Sequence, residues 1–391
     1  MNHPPSAAIV GVGSTEFSKA SGRSELRLAL EACTLALADA GLDPSDVDGL
    51  VTMTMDDNDE PAVAHYLGLD ALTFFARTSG GGGGGPGTLT LASMAIATGR
   101  ARTVICYRAM NERSQGRFGQ PSRYAGDRAA TAAAVTMSWA APFGMVTPAA
   151  FFAPSFRRYM HEYGATSEDF GRQAVVQRAY ANKNPQAFFH DRPLTLDDHQ
   201  SSRMIADPLR LFDCCQESDG GVALVLTAPE RAKDLRQPPV AVLGAAMGVG
   251  PRQYGVAPLY RDDLADAAET RVMGDQLWAQ SGLGPGDMDV ALLYDHFSPA
   301  VLMQLEALGF CGLGEAPGLV RDGGTEIDGV IPTNTNGGQL SEAYIHGFNG
   351  LAEAVRQLRG TSVNQVTGAA HAVVTGGSHA PTSGVVLGRT A

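Results

Sequence analysis

Cysteine is the first thing the chain withholds. Its five cysteines, Cys33, Cys106, Cys214, Cys215 and Cys311, are odd in number and nowhere spaced C-x-x-C, which excludes a disulfide framework and a zinc ribbon. Basic charge is also scarce: 29 Lys and Arg against 41 Asp and Glu leave a net charge of −12. That balance excludes a generic nucleic-acid or anionic-membrane surface, so any anionic ligand must be met by local arginines or backbone amides. No apolar run is long enough to span a bilayer, and "MNHPPSAAIVGVG" lacks the basic stretch and apolar core of a secretion signal. The expected address is the cytoplasm. The acidic run Asp56 to Glu60 lacks calcium-loop spacing and reads as a solvated face, so no metal is expected.

What remains is a soluble α/β pattern with 44% apolar residues in 391, enough for two domains or one large unit. Ala7 to Gly13 reads as a buried strand. A helix follows from an N-cap at Ser24, with Leu26, Leu30, Cys33 and Leu37 at helical spacing, and Gly41 ends it. The pattern then recurs: a strand from Pro239, a helix over Asp263 to Gln280, and "GLGPGDMDVAL" matching the earlier "GLDPSDVDGLV". A duplicated α/β unit is expected, residues 1–235 and 236–391, with an aromatic-rich insertion at about 111–204 covering the substrate.

The glycine run Gly80 to Gly85 has no Lys to serve as a phosphate loop. Pro86 and the helix carrying Leu89, Ala92 and Ile96 argue against a slack linker. Glycines here let backbone amides approach a ligand closely. Cys214 and Cys215 precede a polar bend at Ser218 to Gly221 and read as structural. Tyr294, Asp295 and His296 end a strand just before a helix, where open α/β sheets place ligands; a core tyrosine and a merely bonded histidine are the plainer reading. "NTNGGQLSEAYIHGFNG" brings Gly338, Tyr344 and His346 to the mouth of a second inner helix, facing the glycine run if the halves are duplicates. "TGGSHAP" adds Gly377 and a His379 that is either functional or a loop residue.

With these landmarks in order, the sequence resembles the thiolase superfamily in its sterol-carrier branch. The resemblance rests on "AAIVGVGSTEF", "LADAGLDPSDVDGLV", "IATGRARTVICY", "YGATSEDFGRQAV", "SRMIADPLRLFDCCQESDGGVALVL", "NTNGGQLSEAYIHG" and "TGGS". It implies the thiolase fold: two βαβαβαββ halves in a five-layer αβαβα arrangement, an inserted loop domain over a CoA site, and a homodimer. The family's nucleophilic cysteine falls near Gly82, where no cysteine stands. Where the family shows His-Asp-Cys-Phe the chain has Tyr294 to Phe297, and Tyr344 replaces the histidine of Gly-His-Pro. Without that thiol, covalent acyl transfer has no first step.

The pattern is similar to the thiolase-like aldolases of bacterial sterol side-chain degradation. The resemblance implies retro-aldol cleavage of a 17-hydroxy steroid acyl-CoA to a 17-ketosteroid and propionyl-CoA, with no cofactor beyond the coenzyme A of the substrate. Tyr294 and Tyr344 are the expected acid and base, with His296 tuning them. Gly82, Gly83, Gly338, His346 and Gly377 are expected around the acyl-CoA, the glycine run making room for a bulky alcohol and offering amides to an enolate. A hydratase subunit bearing a DUF35 (OB-fold) domain is the implied partner. The rival expectations are a non-catalytic acyl-CoA or sterol carrier, and an acetyl-CoA acyltransferase using Cys214, Cys215 or Cys311.

Overall fold

The computed structural model describes residues 6–79, 81–115, 117, 140–253 and 259–390. Gly80, at the head of the glycine run, and residues 118–139 of the insertion lie outside these described residues. In chain order the strands are β1 (Ala8–Ser14), β2 (Gly49–Met53), β3 (Phe74–Thr78), β4 (Thr103–Asn111), β5 (Met204–Ala206), β6 (Leu209–Arg210), β7 (Asp219–Thr227), β8 (Val240–Gly248), β9 (Val290–Leu292), β10 (His371–Gly376) and β11 (Thr382–Arg389). The helices that position the site are α1 (Glu25–Ala40), α2 (Gly87–Ala97), α3 (Pro148–Tyr163), α4 (Ser167–Ala181), α5 (Ala268–Ser281), α6 (Ser298–Ala307), α7 (Gly338–Ser341) and α8 (Phe348–Arg359).

Nine strands form one sheet in the order β3-β2-β4-β7-β1-β8-β11-β10-β9. Its centre is a short antiparallel join, Ala8 to Ala241 and Ile9 to Val240. Outward from that join the sequence β1-β7-β4-β2-β3 is matched by β8-β11-β10-β9, and Thr333 bridges Ala291 where a fifth strand would lie. Alternation of side chains separates the layers. Ile9, Val104 and Cys106 from one stretch of sheet and Val242, Leu292 and Val374 from the other meet Leu89 and Ala92 of α2 and Leu351 and Val355 of α8 in one core. Ala8, Val10, Ile105 and Tyr107 face the opposite way, onto α1. Ala291, Val373 and Val386 face α5 and α6. The result is helix, sheet, paired inner helices, sheet, helix, the five-layer thiolase arrangement that the sequence leads one to expect.

The Ser24 cap holds, its hydroxyl accepting from the Arg27 amide at 3.1 Å, and Gly41 closes α1 at φ 72°. Three expectations need correction. Helix α5 starts at Ala268, not Asp263, because the Asp263 carboxylate takes the Ala265 amide at 2.8 Å and turns the chain before the helix. Strand β7 begins at Asp219, inside the expected bend, because Asp219 to Gly221 pair with Asn111 to Ala109 of β4. The acidic run is not a solvated face. Asp56, Asn58 and Glu60 are buried, with Asp56 paired to Arg108 at 2.9 Å and Glu60 to Arg77 at 2.6 Å.

Two glycines let α1 press directly on β1: a Cβ at Gly11 would stand 2.2 Å from the Ala36 carbonyl oxygen, and one at Gly13 2.3 Å from that of Ala32. Gly11→Ala is expected to cost about 1–3 kcal/mol through overpacking, measured by urea denaturation, and Gly286→Ala, on an open exposed turn, to cost under about 0.5 kcal/mol.

Candidate active site

Tyr294 leaves the end of β9 with its backbone fixed on every side. The Asn334 side chain bonds both the amide (2.7 Å) and the carbonyl (2.9 Å) of Leu293. The Tyr294 amide donates to Thr375 Oγ1 at 3.0 Å, and its carbonyl accepts from Gln304 Nε2 at 2.8 Å. Tyr344 sits between α7 and α8 with its amide on Ser218 Oγ at 3.1 Å. Their two hydroxyl oxygens lie 3.0 Å apart, so one phenol donates to the other.

The glycine run reaches this pair from the other half. A Cβ at Gly82 would stand 1.9 Å from the Tyr294 hydroxyl oxygen, so the space that a side chain would need at residue 82 is occupied by that phenol. A Cβ at Gly83 would meet the Pro381 carbonyl oxygen at 1.7 Å, and one at Gly85 that of His346 at 2.4 Å. The run therefore does not clear room for a bulky alcohol at these positions, because three neighbouring segments already fill it. Gly377, at φ 75°, packs its Cβ position 3.0 Å from Gly83 Cα, which brings the two glycine loops face to face.

Burial sets the electrostatics. Tyr294 and Tyr344 are both raised well above the ordinary phenol value, chiefly by desolvation, and Asp295 adds to the rise at Tyr294. His296 is pushed down to about 3 by burial and then by the neighbouring His379. It is a neutral ring at any working pH and brings no positive charge to acidify a phenol, which removes the tuning role expected of it. Its ring centroid lies 5.2 Å from that of Tyr294 and 4.8 Å from that of Phe152. Asp295, raised by burial to about 6, accepts the Gln339 and Leu340 amides at 2.9 and 3.0 Å and so anchors α7.

The remaining expected residues are placed as follows. Gly338 is at φ 61°, where a Cβ would meet Asp295 Oδ2 at 2.2 Å, and its amide already bonds Asn336 Oδ1 at 3.1 Å. His346 lies beside Tyr344, ring centroids 5.0 Å apart, and its Nδ1 accepts from Arg108 Nε at 3.1 Å. Burial and the Arg108 cation hold His346 well below the usual histidine range. Arg108 is paired in turn with Glu25 and Asp56, both at 2.9 Å, and burial raises Glu25 to about 7 despite the cation. All five cysteines are free thiols. Burial pushes Cys214 and Cys215 far up and Cys311 to about 12, which leaves no ready thiolate. Among the described residues no His, Cys, Asp and Glu group is arranged to hold a metal.

Sequence reasoning missed Gln216, Gln339, Ser218 and Arg108. Gln216 and Gln339 are buried, and among the described residues Gln216 Nε2 and Oε1 have no protein partner. Such groups are costly unless a ligand completes them. Their one signal was position, flanking "CCQESDG" and "GGQLSEAY".

Residues 257–389 match the family described as "Thiolase C-terminal domain-like". Over 387 residues, 98% of each chain, the protein is 57% identical to a steroid side-chain-cleaving aldolase of Thermomonospora curvata. It is 56% identical over 98% of its length, and 99% of the relative's, to the 17-hydroxy-3-oxo-4-pregnene-20-carboxyl-CoA lyase of Mycobacterium tuberculosis. A solved Ltp2-ChsH2(DUF35) aldolase superimposes with a TM-score of 0.94 at 55% identity, covering 100% of this chain and 99% of that one.

Two outcomes test the geometry. Gly82→Ala is expected to displace the Tyr294 phenol and lower kcat about 10²-fold or more, with binding of substrate measured separately by calorimetry. Because both phenols are held up and the His296 ring is held down, the pH–rate profile of kcat is expected to carry no tyrosine or histidine limb between about pH 5 and 9. A limb in that window that vanishes in Tyr344→Phe would contradict the neutral pair.

Proposed function

The chain belongs to the family of thiolase-like steroid side-chain-cleaving aldolases, and from that premise we propose how its own residues cleave a 17-hydroxy steroid acyl-CoA to a 17-ketosteroid and propionyl-CoA. The observation that carries the reading is the phenol pair: two hydroxyls 3.0 Å apart, one in the space that a side chain at residue 82 would need. A retro-aldol reaction needs one proton moved from the carbinol oxygen to the α-carbon, with the electron pair of the breaking bond passing through the thioester. Ionising either phenol outright costs about 1.4 kcal/mol for every unit its pKa stands above ambient pH. The pair therefore works as a relay: one phenol takes the hydroxyl proton as it passes its own to the other, which delivers to the α-carbon. The backbone of the facing Gly82–Gly83 and Gly377 loops lies against the thioester, and His346 and Gly338 hold the Tyr344 loop in place.

The acyl group stays on coenzyme A throughout, so no further cofactor enters. Buried thiols with raised pKa values speak against the acyltransferase alternative. Among the described residues β3 ends the sheet with one edge unpaired and Phe75 60% exposed, which supports a homodimer joined along that edge. The likeness to the Ltp2-ChsH2(DUF35) aldolase supports a hetero-complex with a hydratase subunit bearing such a domain. We assign the N-terminal half to 1–235, with the loop domain at about 111–204, and the C-terminal half to 236–391. No helix of the described residues is long and apolar enough to cross a membrane, and we place the enzyme in the cytoplasm.

Release of propionyl-CoA and ketone from β-hydroxy acyl-CoAs, followed by chromatography, tests the reading directly. Tyr294→Phe and Tyr344→Phe are each expected to lower kcat by about 10²–10⁴-fold. In the relay the double variant is slower than the worse single by less than about threefold, whereas an independent acid and base would multiply their losses. Binding without turnover by the wild type would favour the carrier instead, and a stable acyl adduct by mass spectrometry the acyltransferase.

A further inference from the structure

Next to Tyr294 lies a second pair of rings that the relay does not use. His379 is fully buried and His296 nearly so, and among the described residues both nitrogens of His296 and Nε2 of His379 make no well-formed hydrogen bond, only looser approaches to the backbone of Tyr294 and Leu264. An aromatic box encloses them: Phe152 edge-on to His296 at 4.8 Å, Phe297 beside it at 4.8 Å, and Phe156 edge-on to His379 at 5.9 Å. Leaving three imidazole nitrogens without a well-formed bond in such a box is costly unless something polar enters it.

The protein also invests structure in holding His379 where it is. Its backbone sits at φ 58°, a conformation that a non-glycine residue adopts only when its surroundings impose it. The His379 amide donates to Glu269 Oε1, and Glu269 is fixed by a buried ion pair to Arg261 at 2.6 Å. Arg261 in turn bonds the Pro251 and Asp266 carbonyls at 3.1 and 3.0 Å. Two residues on either side of His379, Gly377 and Pro381 touch Gly83 of the glycine run. His296 flanks Tyr294 in sequence and His379 follows the glycine loop at Gly377, so one aromatic box carries both imidazoles beside the phenol and the facing loops.

We propose that His379 is a further catalytic residue which, with His296, donates hydrogen bonds to the thioester oxygen as it becomes an enolate oxygen. The assignment rests on the aldolase reading above. When the bond between the α-carbon and the carbinol carbon breaks, its electron pair becomes the enolate double bond and the thioester π pair moves onto oxygen. The N–H···O hydrogen bonds shorten to meet that charge. When the α-carbon takes the relayed proton the pair returns and the thioester carbonyl is restored. A neutral imidazole suits this task, because it stabilises the oxygen without surrendering a proton to it. Ser378 Oγ, 3.4 Å from His379 Nδ1, is placed to hold the tautomer that leaves the proton on Nε2.

The test uses the whole enzyme with its partner subunit and a β-hydroxy acyl-CoA. His379→Gly suits the left-handed backbone and removes only the ring, so folding is retained, as thermal melting checks. It is expected to lower kcat about 10²–10³-fold with little change in KM, and added imidazole is expected to restore part of the rate. His296→Phe, which keeps an aromatic ring in the box, is expected to show the same kcat loss. Either variant turning over within about threefold of wild type overturns the assignment, as does a loss confined to KM or a His379→Gly loss that imidazole leaves untouched. If the wild type itself releases no propionyl-CoA, it is the aldolase reading that falls, and the two failures are thereby distinct.

Discussion

A side chain at residue 82 and the phenol of Tyr294 cannot occupy the molecule together, since the two would meet at 1.9 Å. From that exclusion the rest of the site follows. What stands in the volume a side chain at residue 82 would need is a hydroxyl already hydrogen-bonded to a second hydroxyl. Rigid supports keep it there. The Asn334, Thr375 and Gln304 side chains fix the Tyr294 backbone from three different segments, so the phenol has little freedom to retreat if anything larger than hydrogen is placed opposite it.

The surroundings are dry rather than charged. Desolvation raises both phenols and lowers the histidines nearby. Dryness of this kind opposes free ionic intermediates and favours a proton that is never fully detached, while it strengthens any hydrogen bond aimed at a transient negative oxygen. The same low dielectric accounts for the buried Arg108 cation being matched by two carboxyls, with burial raising that of Glu25 to about 7.

Much of the fold was legible because its determinants are local and periodic. Ser24 and Gly41 bound α1, and the repeated Gly-Leu-x-Pro turns marked recurring points in the chain, while the first strand showed as a buried apolar run. The two tyrosines stood out because they replace expected residue types at recognisable points. What was illegible depends on distance through space. Asp56 and Glu60 look like a solvated acidic run until Arg108 and Arg77 arrive from other strands. Gly82, Gly83 and Gly85 look like a cleared space until Tyr294, Pro381 and His346 are seen to fill it. Gln216 carries no signal of its own, and His379 none that separates a functional from a loop histidine, since an unpaired buried nitrogen exists only once the chain has folded around it.

The contact between Arg108 and His346 spans 238 residues of sequence and crosses from a strand of the first half to the tyrosine loop of the second. It ties two remote stretches of the chain at a single bond. A substitution at Arg108 on β4 is therefore felt at the loop that carries Tyr344, through the ring that packs beside that phenol.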